Sequence, residues 1–230
     1  MTNNCQQLRP FMVVAIDGGA ASGKSSTSVR LAERCNFLHV DTGNHYRTLT
    51  HAIIREGLSH DDPAALRPFL GELRLGTLVV GHECLMCREG EAPLGPDLIR
   101  SGEVNALVSP VAAVPEVRDA LRSYQRSLVQ VARTKGFAGI VMDGRDIGTV
   151  ILPDADLKVF LKADVATRQR RRELEGATDA IGDRDQRDAS RATAPLKPAS
   201  DAVIIDNSNI GLEEVVEQII GFLPGGGTDQ

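Results

Sequence analysis

In the run Asp17-Gly-Gly-Ala-Ala-Ser-Gly-Lys-Ser-Ser26, Gly18 is followed after four residues by Gly23, Lys24 and Ser25. Those types at that spacing make a cradle for phosphate. Gly18 and Gly23 let the backbone turn tightly and approach an anion, and the amides of Gly19, Ala20, Ala21 and Ser22 between them can donate to its oxygens. Lys24 adds a point charge. Ser25 offers a hydroxyl to Mg²⁺, and Ser26 places a second hydroxyl beside it. Spacing does not choose between the two, and Ser25 is taken as the metal ligand. A helix starting here would present about half a positive charge to the same anion.

Three further stretches carry paired Arg and Asp: Val40–Arg47 (VDTGNHYR), Val141–Leu161 (VMDGRDIGTVILPDADLKVFL) and Arg184–Arg191 (RDQRDASR). Each puts these residues at the carboxyl end of an expected strand or at a helix start. In an open α/β sheet that edge is where ligands bind. Arg grips phosphate through a bidentate fork, and Asp accepts from a ribose hydroxyl or an amino group. Three such clusters exceed what one triphosphate needs, so a second phosphorylated ligand is implied. His82, Cys84 and Cys87 also stand close together, but a second ligand pair is missing, and the segment alternates as a half-buried strand does.

The elements that must position these residues follow from periodicity. The apolar run Phe11 to Ile16 predicts a buried parallel strand leading into the phosphate loop. Helical spacing follows over Ser25 to Cys35. Strands are expected at Phe37–Val40, Gly139–Met142, Leu157–Leu161 and Val203–Ile205. Helices are expected at Tyr46–Glu56 and, with one apolar face, at Leu212–Leu223. Strands alternating with helices give a parallel sheet covered on both faces. Leu73 to Cys87 breaks the rhythm with short strands punctuated by Gly76 and Gly81. It predicts a small antiparallel insert at about 60–98, projecting from the main sheet.

Bulk properties narrow the class. The chain has 230 residues, 42% hydrophobic and 25% charged, with a net charge of −5. That is an ordinary globular composition, and its charge gives no ground for nucleic-acid or membrane partners. Apolar runs are too short to span a bilayer, and the N-terminus lacks the order of a signal peptide. Four scattered cysteines do not make a disulfide framework. A reduced, cytoplasmic protein is expected, as a monomer.

Taken together, the stretches IDGGAASGKSS, DTGNHYR, IRSGEVNALVSPVAAVPEVRDALRSYQR, DGRDIGTVILPDADLKVFL and RDQRDASRATAPLKPASDAVIIDNS resemble the bacterial cytidylate kinase family, in family order from Val13 to about Leu223. The resemblance implies a P-loop NTPase-type α/β fold: a single kinase domain with core 11–59, 99–163 and 192–223. It also implies a monophosphate-binding insert at about 60–98, a lid at about 164–191 and a flexible tail at 224–230. It implies transfer of the γ-phosphate of ATP, with Mg²⁺, to CMP or dCMP. Gly18 to Ser26 would bind the ATP phosphates. Asp41 and Thr42 would lie near the CMP sugar, and Arg47 and Arg145 would hold its phosphate. Ser109, Arg118 and Asp146 would read the cytosine edge. Arg184 and Asp188 would contact the sugar, with Arg191 nearby.

Cytosine offers an amino donor and two acceptors, and Asp146 with Arg118 and Ser109 supplies the matching kinds. The plainer alternatives are a solvated Arg118 on its helix and a Ser109 that only caps a helix before Pro110. Among Arg168, Arg170, Arg171 and Arg172, at least one should face the donor phosphates, where transferred charge develops. Arg172 or Arg168 is expected, with Lys24, Arg145 and Arg172 forming the catalytic set. The family commonly carries a longer stretch between Arg172 and Arg184, so the lid is expected to be short. Two other functions fit a phosphate loop: a kinase of another small acceptor such as UMP, and a nucleotide-binding regulator without transfer activity. The Arg47, Arg145 and Arg184 set argues against the second.

Overall fold

The computed structural model describes residues 10–174 and 196–224. Arg184, Asp188 and Arg191 lie outside the described residues, as does most of the expected lid.

Seven strands form one sheet: β1 (Met12–Gly18), β2 (Phe37–Asp41), β3 (Leu75–Val80), β4 (Glu83–Arg88), β5 (Gly139–Gly144), β6 (Leu157–Lys162) and β7 (Val203–Asp206). Their order is β3-β4-β2-β5-β1-β6-β7. Only the β3–β4 pair is antiparallel. The strand β1 is central, with Asp17 opposite Gly144 on one side and Phe160 on the other.

Both faces are covered, which is why β1 reads as a continuous apolar run rather than an alternating one. Met12, Val14 and Ile16 pack towards α1 (Lys24–Cys35) and α8 (Leu212–Phe222), meeting Leu31, Ala32, Val215, Val216 and Ile219. Ala15, Ile140 and Met142 face the other way, onto Leu128 and Ala132 of α6 (Pro115–Thr134). A further core lies beyond the carboxyl edge of β2. There Leu49 and Ile53 of α2 (Thr42–Arg55) and Leu66 of α3 (Pro63–Glu72) meet Met86, Val111 of α5 (Gly102–Val111), Val117 and Leu121. The short α4 (Pro96–Ile99) precedes α5, and α7 (Val165–Leu174) follows β6. Among the described residues no helix is long and apolar enough to cross a membrane.

Two local outcomes differ from expectation, and two further elements had not been foreseen. Helix α2 begins at Thr42 rather than Tyr46, because the Asp41 carboxylate accepts from the Asn44 amide at 3.2 Å and caps the first turn. The β3–β4 hairpin does not project. Its second strand joins β2 in parallel at His39 and Glu83, and the His39 amide donates to the His82 carbonyl at 2.7 Å, so the hairpin extends the sheet edge. Helix α3 occupies the start of the 60–98 span assigned to the insert, ahead of the expected strands, with Asp62 as N-cap and Pro63 at the first position. After β5 the chain makes a π-helical turn, Ile147–Ile151.

Candidate active site

The phosphate loop links β1 to α1. Gly18 leaves the strand where an added Cβ would meet the Leu161 carbonyl oxygen at 2.4 Å, so only glycine fits there. Gly23, at φ 86°, takes the left-handed conformation that turns the loop into the helix, and Ala21 adopts φ 55° without being glycine. Ser22 is buried, while Ser25 and Ser26 are exposed at the helix start. Lys24 is half-buried, and its amine donates to the Gly19 carbonyl at 2.7 Å. Burial, with the Arg145 charge adding to it, pulls this amine down to about 7.

The loop is gripped from neighbouring elements. Arg145 donates to the Gly18 carbonyl at 2.7 Å, and Arg168 of α7 donates to the Ala20 carbonyl at 3.3 Å. Asn207, just past β7, donates to the Ser22 carbonyl at 2.8 Å. Arg171 in turn donates to the Asn207 side chain and backbone at 3.1 and 2.9 Å. Arg172 lies half-buried on the same helix. A cavity of about 320 Å³ opens on this side, lined by Gly19, Ser22, Lys162, Asp164, Arg168 and Asp206 among others.

On the other side of Lys24 lies a second cavity, of about 170 Å³. Lys24, Ser25, Asp41, Thr42, Tyr46, Ser109, Arg118, Asp143, Arg145 and Asp146 line it, together with Val108 and Ala112. Arg118 is buried rather than solvated. Its guanidinium pairs with the Asp146 carboxylate, donates to the Ala112 carbonyl at 3.1 Å and lies 5.7 Å from the Tyr46 ring centre. Ser109 sits in the last turn of α5 and caps nothing; Ser101 is the cap of that helix. Arg47 is not among the lining residues. It is buried on α2 and donates to Asn105 at 2.6 Å and to the Ile99 carbonyl at 3.2 Å.

Asp143, which lines the second cavity, is a residue that the sequence motifs did not single out. Asp143, at the end of β5, accepts from the Ser25 hydroxyl at 2.8 Å and bonds the His39 ring at 3.2 Å. Its carbonyl accepts from the Thr42 hydroxyl at 2.7 Å. Burial alone would lower the His39 imidazole, but the Asp143 bond and charge, with the Asp41 and Glu83 charges, together raise it above its ordinary range. Asp41 is raised by burial and by the Asp143 charge. Asp17, one residue before Gly18, is buried and accepts from the amides of Ile147 and Gly148, each at 2.8 Å. Burial pushes its carboxyl up to about 6 despite those bonds. The signal for both residues was available: an Asp ending an otherwise apolar buried strand needs a partner.

A profile of the cytidylate kinase family matches residues 14–224. A curated cytidylate kinase of Streptomyces avermitilis is 40% identical over 227 residues, with 96% of each chain covered. One from Shouchella clausii is 42% identical over 228 residues, covering 91% of this chain and 95% of its own. Among solved structures, an uncharacterized protein from Eubacterium ventriosum superposes with a TM-score of 0.50 at 14% identity, over 92% of this chain and 97% of its own, a likeness of fold alone.

Proposed function

Because the chain belongs to the cytidylate kinase family, we propose that this cleft passes the γ-phosphoryl group of ATP to the phosphate of CMP or dCMP, giving ADP and the pyrimidine diphosphate. The observation that carries the reading is one cavity lined both by Lys24 and Ser25 of the phosphate loop and by the buried Arg118–Asp146 pair with Ser109. A phosphate cradle is thereby open to a polar pocket suited to a pyrimidine edge.

The donor phosphates lie on the amides of residues 18–26, with Lys24 against them. To take that place, the Lys24 amine exchanges the Gly19 carbonyl for phosphate oxygens. Arg145, which lines the acceptor cavity, orients the acceptor phosphate, and Arg47 joins it only by exchanging Asn105 and the Ile99 carbonyl for phosphate oxygens. Asp41 and Thr42 lie at the sugar, and Ser109, Arg118 and Asp146 read the base. Arg172 or Arg168 meets the charge that spreads over the transferred group. The acceptor oxygen is already ionised at neutral pH, so no general base is needed and transfer is direct and in line. Ser25 and Asp143 form a set of hard oxygens suited to Mg²⁺, which takes one or two protein ligands and leaves the remainder to phosphates and water. Bound there, the ion would supply positive charge to the donor phosphates. The protein works as a cytoplasmic monomer without nucleic acid.

Steady-state transfer from ATP to CMP, dCMP, UMP and AMP tests this reading. CMP and dCMP should be the preferred acceptors, and Arg145→Ala should lose acceptor affinity. Equal turnover of all four, or nucleotide binding without turnover, would overturn it.

A further inference from the structure

The mechanism above leaves one buried carboxylate without a task, and that is Asp17. Its surroundings concern the short turn that follows Asp146. A helical turn leaves its first amides without partners inside the turn, and a residue at the N-cap ordinarily accepts from them with its own side chain. Asp146 occupies that N-cap position, has a side chain of the right type, and makes no such bond. Its carboxylate is instead paired with Arg118.

The missing cap comes from another strand. Asp17 lies opposite Gly144 in the sheet, where β5 ends and the chain lifts away. Its two oxygens take the Ile147 and Gly148 amides, one each, at 2.8 Å. The far end of the same turn is closed in a similar way, since Arg126 of α6 donates to the Ile151 and Val150 carbonyls at 2.8 and 2.9 Å.

We infer that Asp17 is a positioning residue for the acceptor side: by capping the turn in place of Asp146, it leaves the Asp146 carboxylate for Arg118 and the acceptor base. The inference rests on the acceptor pocket proposed above. Asp17 adjoins the donor loop in sequence, so proximity alone would assign it to ATP. The bonds assign it to the other substrate. A chain lacking this cap would let Asp146 turn back onto its own amides, as an ordinary N-cap does, and the pair with Arg118 would open.

The test is Asp17→Asn, which keeps the shape and one acceptor but faces the second amide with a donor. CMP should bind about tenfold more weakly, the scale of one lost bond to a charged group. ATP, titrated alone, should stay within about twofold. By amide hydrogen exchange, Gly148 or Ile147 should lose protection. Asp146→Asn should weaken CMP binding less in the Asp17→Asn background than in the native protein, because one defect already contains the other. Unchanged CMP binding, or equal weakening of ATP and CMP, would overturn the inference. Should the variant fail to fold, exchange in the native protein decides: protected Ile147 and Gly148 amides support the cap, and loop-like rates remove it. A native protein that does not bind CMP at all would sink the acceptor reading, while these exchange rates would still report on the cap.

Discussion

The two sides of the cleft are built differently. The proposed donor cradle is nine consecutive residues, Gly18 to Ser26, and offers mostly backbone groups. The proposed acceptor pocket is assembled from α2, the last turn of α5, the first turn of α6 and the turn after β5, and offers mostly side chains. The contrast extends to energetics. Arg118 and Asp146 are buried and paired with each other, so the pocket holds part of the fold together. Lys24 loses hydration on burial and has Arg145 nearby, and both oppose its charge, although its amine donates to the Gly19 carbonyl. A pocket made from distant segments must stabilise itself, whereas a contiguous loop can hold a strained charge that its ligand will satisfy.

Arg118→Met strikes this contrast hardest. It leaves the Asp146 carboxylate buried without its partner, which costs about 3–5 kcal/mol for a buried pair. Denaturant unfolding should show that loss, and CMP binding should vanish with it. A loss below about 1 kcal/mol would mean that the pair is a recognition device with no structural share.

Lys24→Met is the counterpart on the donor side. Here kcat should fall by about 10²–10³-fold, the scale for removing one donor aimed at developing charge. Stability should not fall. The amine sits near 7 in the fold against 10.5 in the open chain, so the unfolded state holds more protons between those values. Stability of the native protein therefore rises with pH across that window, and the burial cost is present in full below pH 7. The variant should gain melting temperature over the native chain at pH 6, and that advantage should shrink as pH rises from about 7 towards 10.5. An advantage that grew with pH would reverse the assignment.

The same contrast explains what could be read without coordinates. The phosphate loop was legible because its chemistry is local: two glycines, a lysine and a hydroxyl follow one another between a strand and a helix. That β1, β2, β5, β6 and β7 run parallel followed from short apolar strands alternating with helices, though their order did not. Arg118 was not legible from spacing, since a helix turn of PEVRDALR looks the same whether its arginine faces water or Asp146. The pairing depends on where α6 crosses β5. For Asp143 and Asp17 the need for a partner was legible but the partners were not, since they come from elements far away in the chain, Ser25 and His39 for one and Ile147 and Gly148 for the other. The hairpin was misplaced because alternation reveals that β3 and β4 pair, but not that the His39 amide will accept β4 as a neighbour of β2.

The smallest effect concerns Asp17, and its sign separates a structural from a strained carboxylate. Most buried acids held by amides ionise more readily in the fold than in the open chain, and stability then rises with pH. At Asp17 burial outweighs the two amide bonds, the Asp146 charge opposes ionisation, and Lys24 only partly compensates. The carboxyl stands near 6 against 3.8. The folded state thus holds more protons than the unfolded state between those values. This residue's share of stability is fully present below pH 3.8 and declines as pH rises to about 6, by at most about 1.4 kcal/mol per pH unit. Comparing Asp17→Asn with the native chain in urea at pH 4, 5 and 6 isolates that slope, because the other carboxylates cancel in the difference. The native protein should lose ground against the variant as pH rises through this range. A difference that stays flat, or that moves in the native chain's favour, would make Asp17 an ordinary cap whose ionised form the fold prefers.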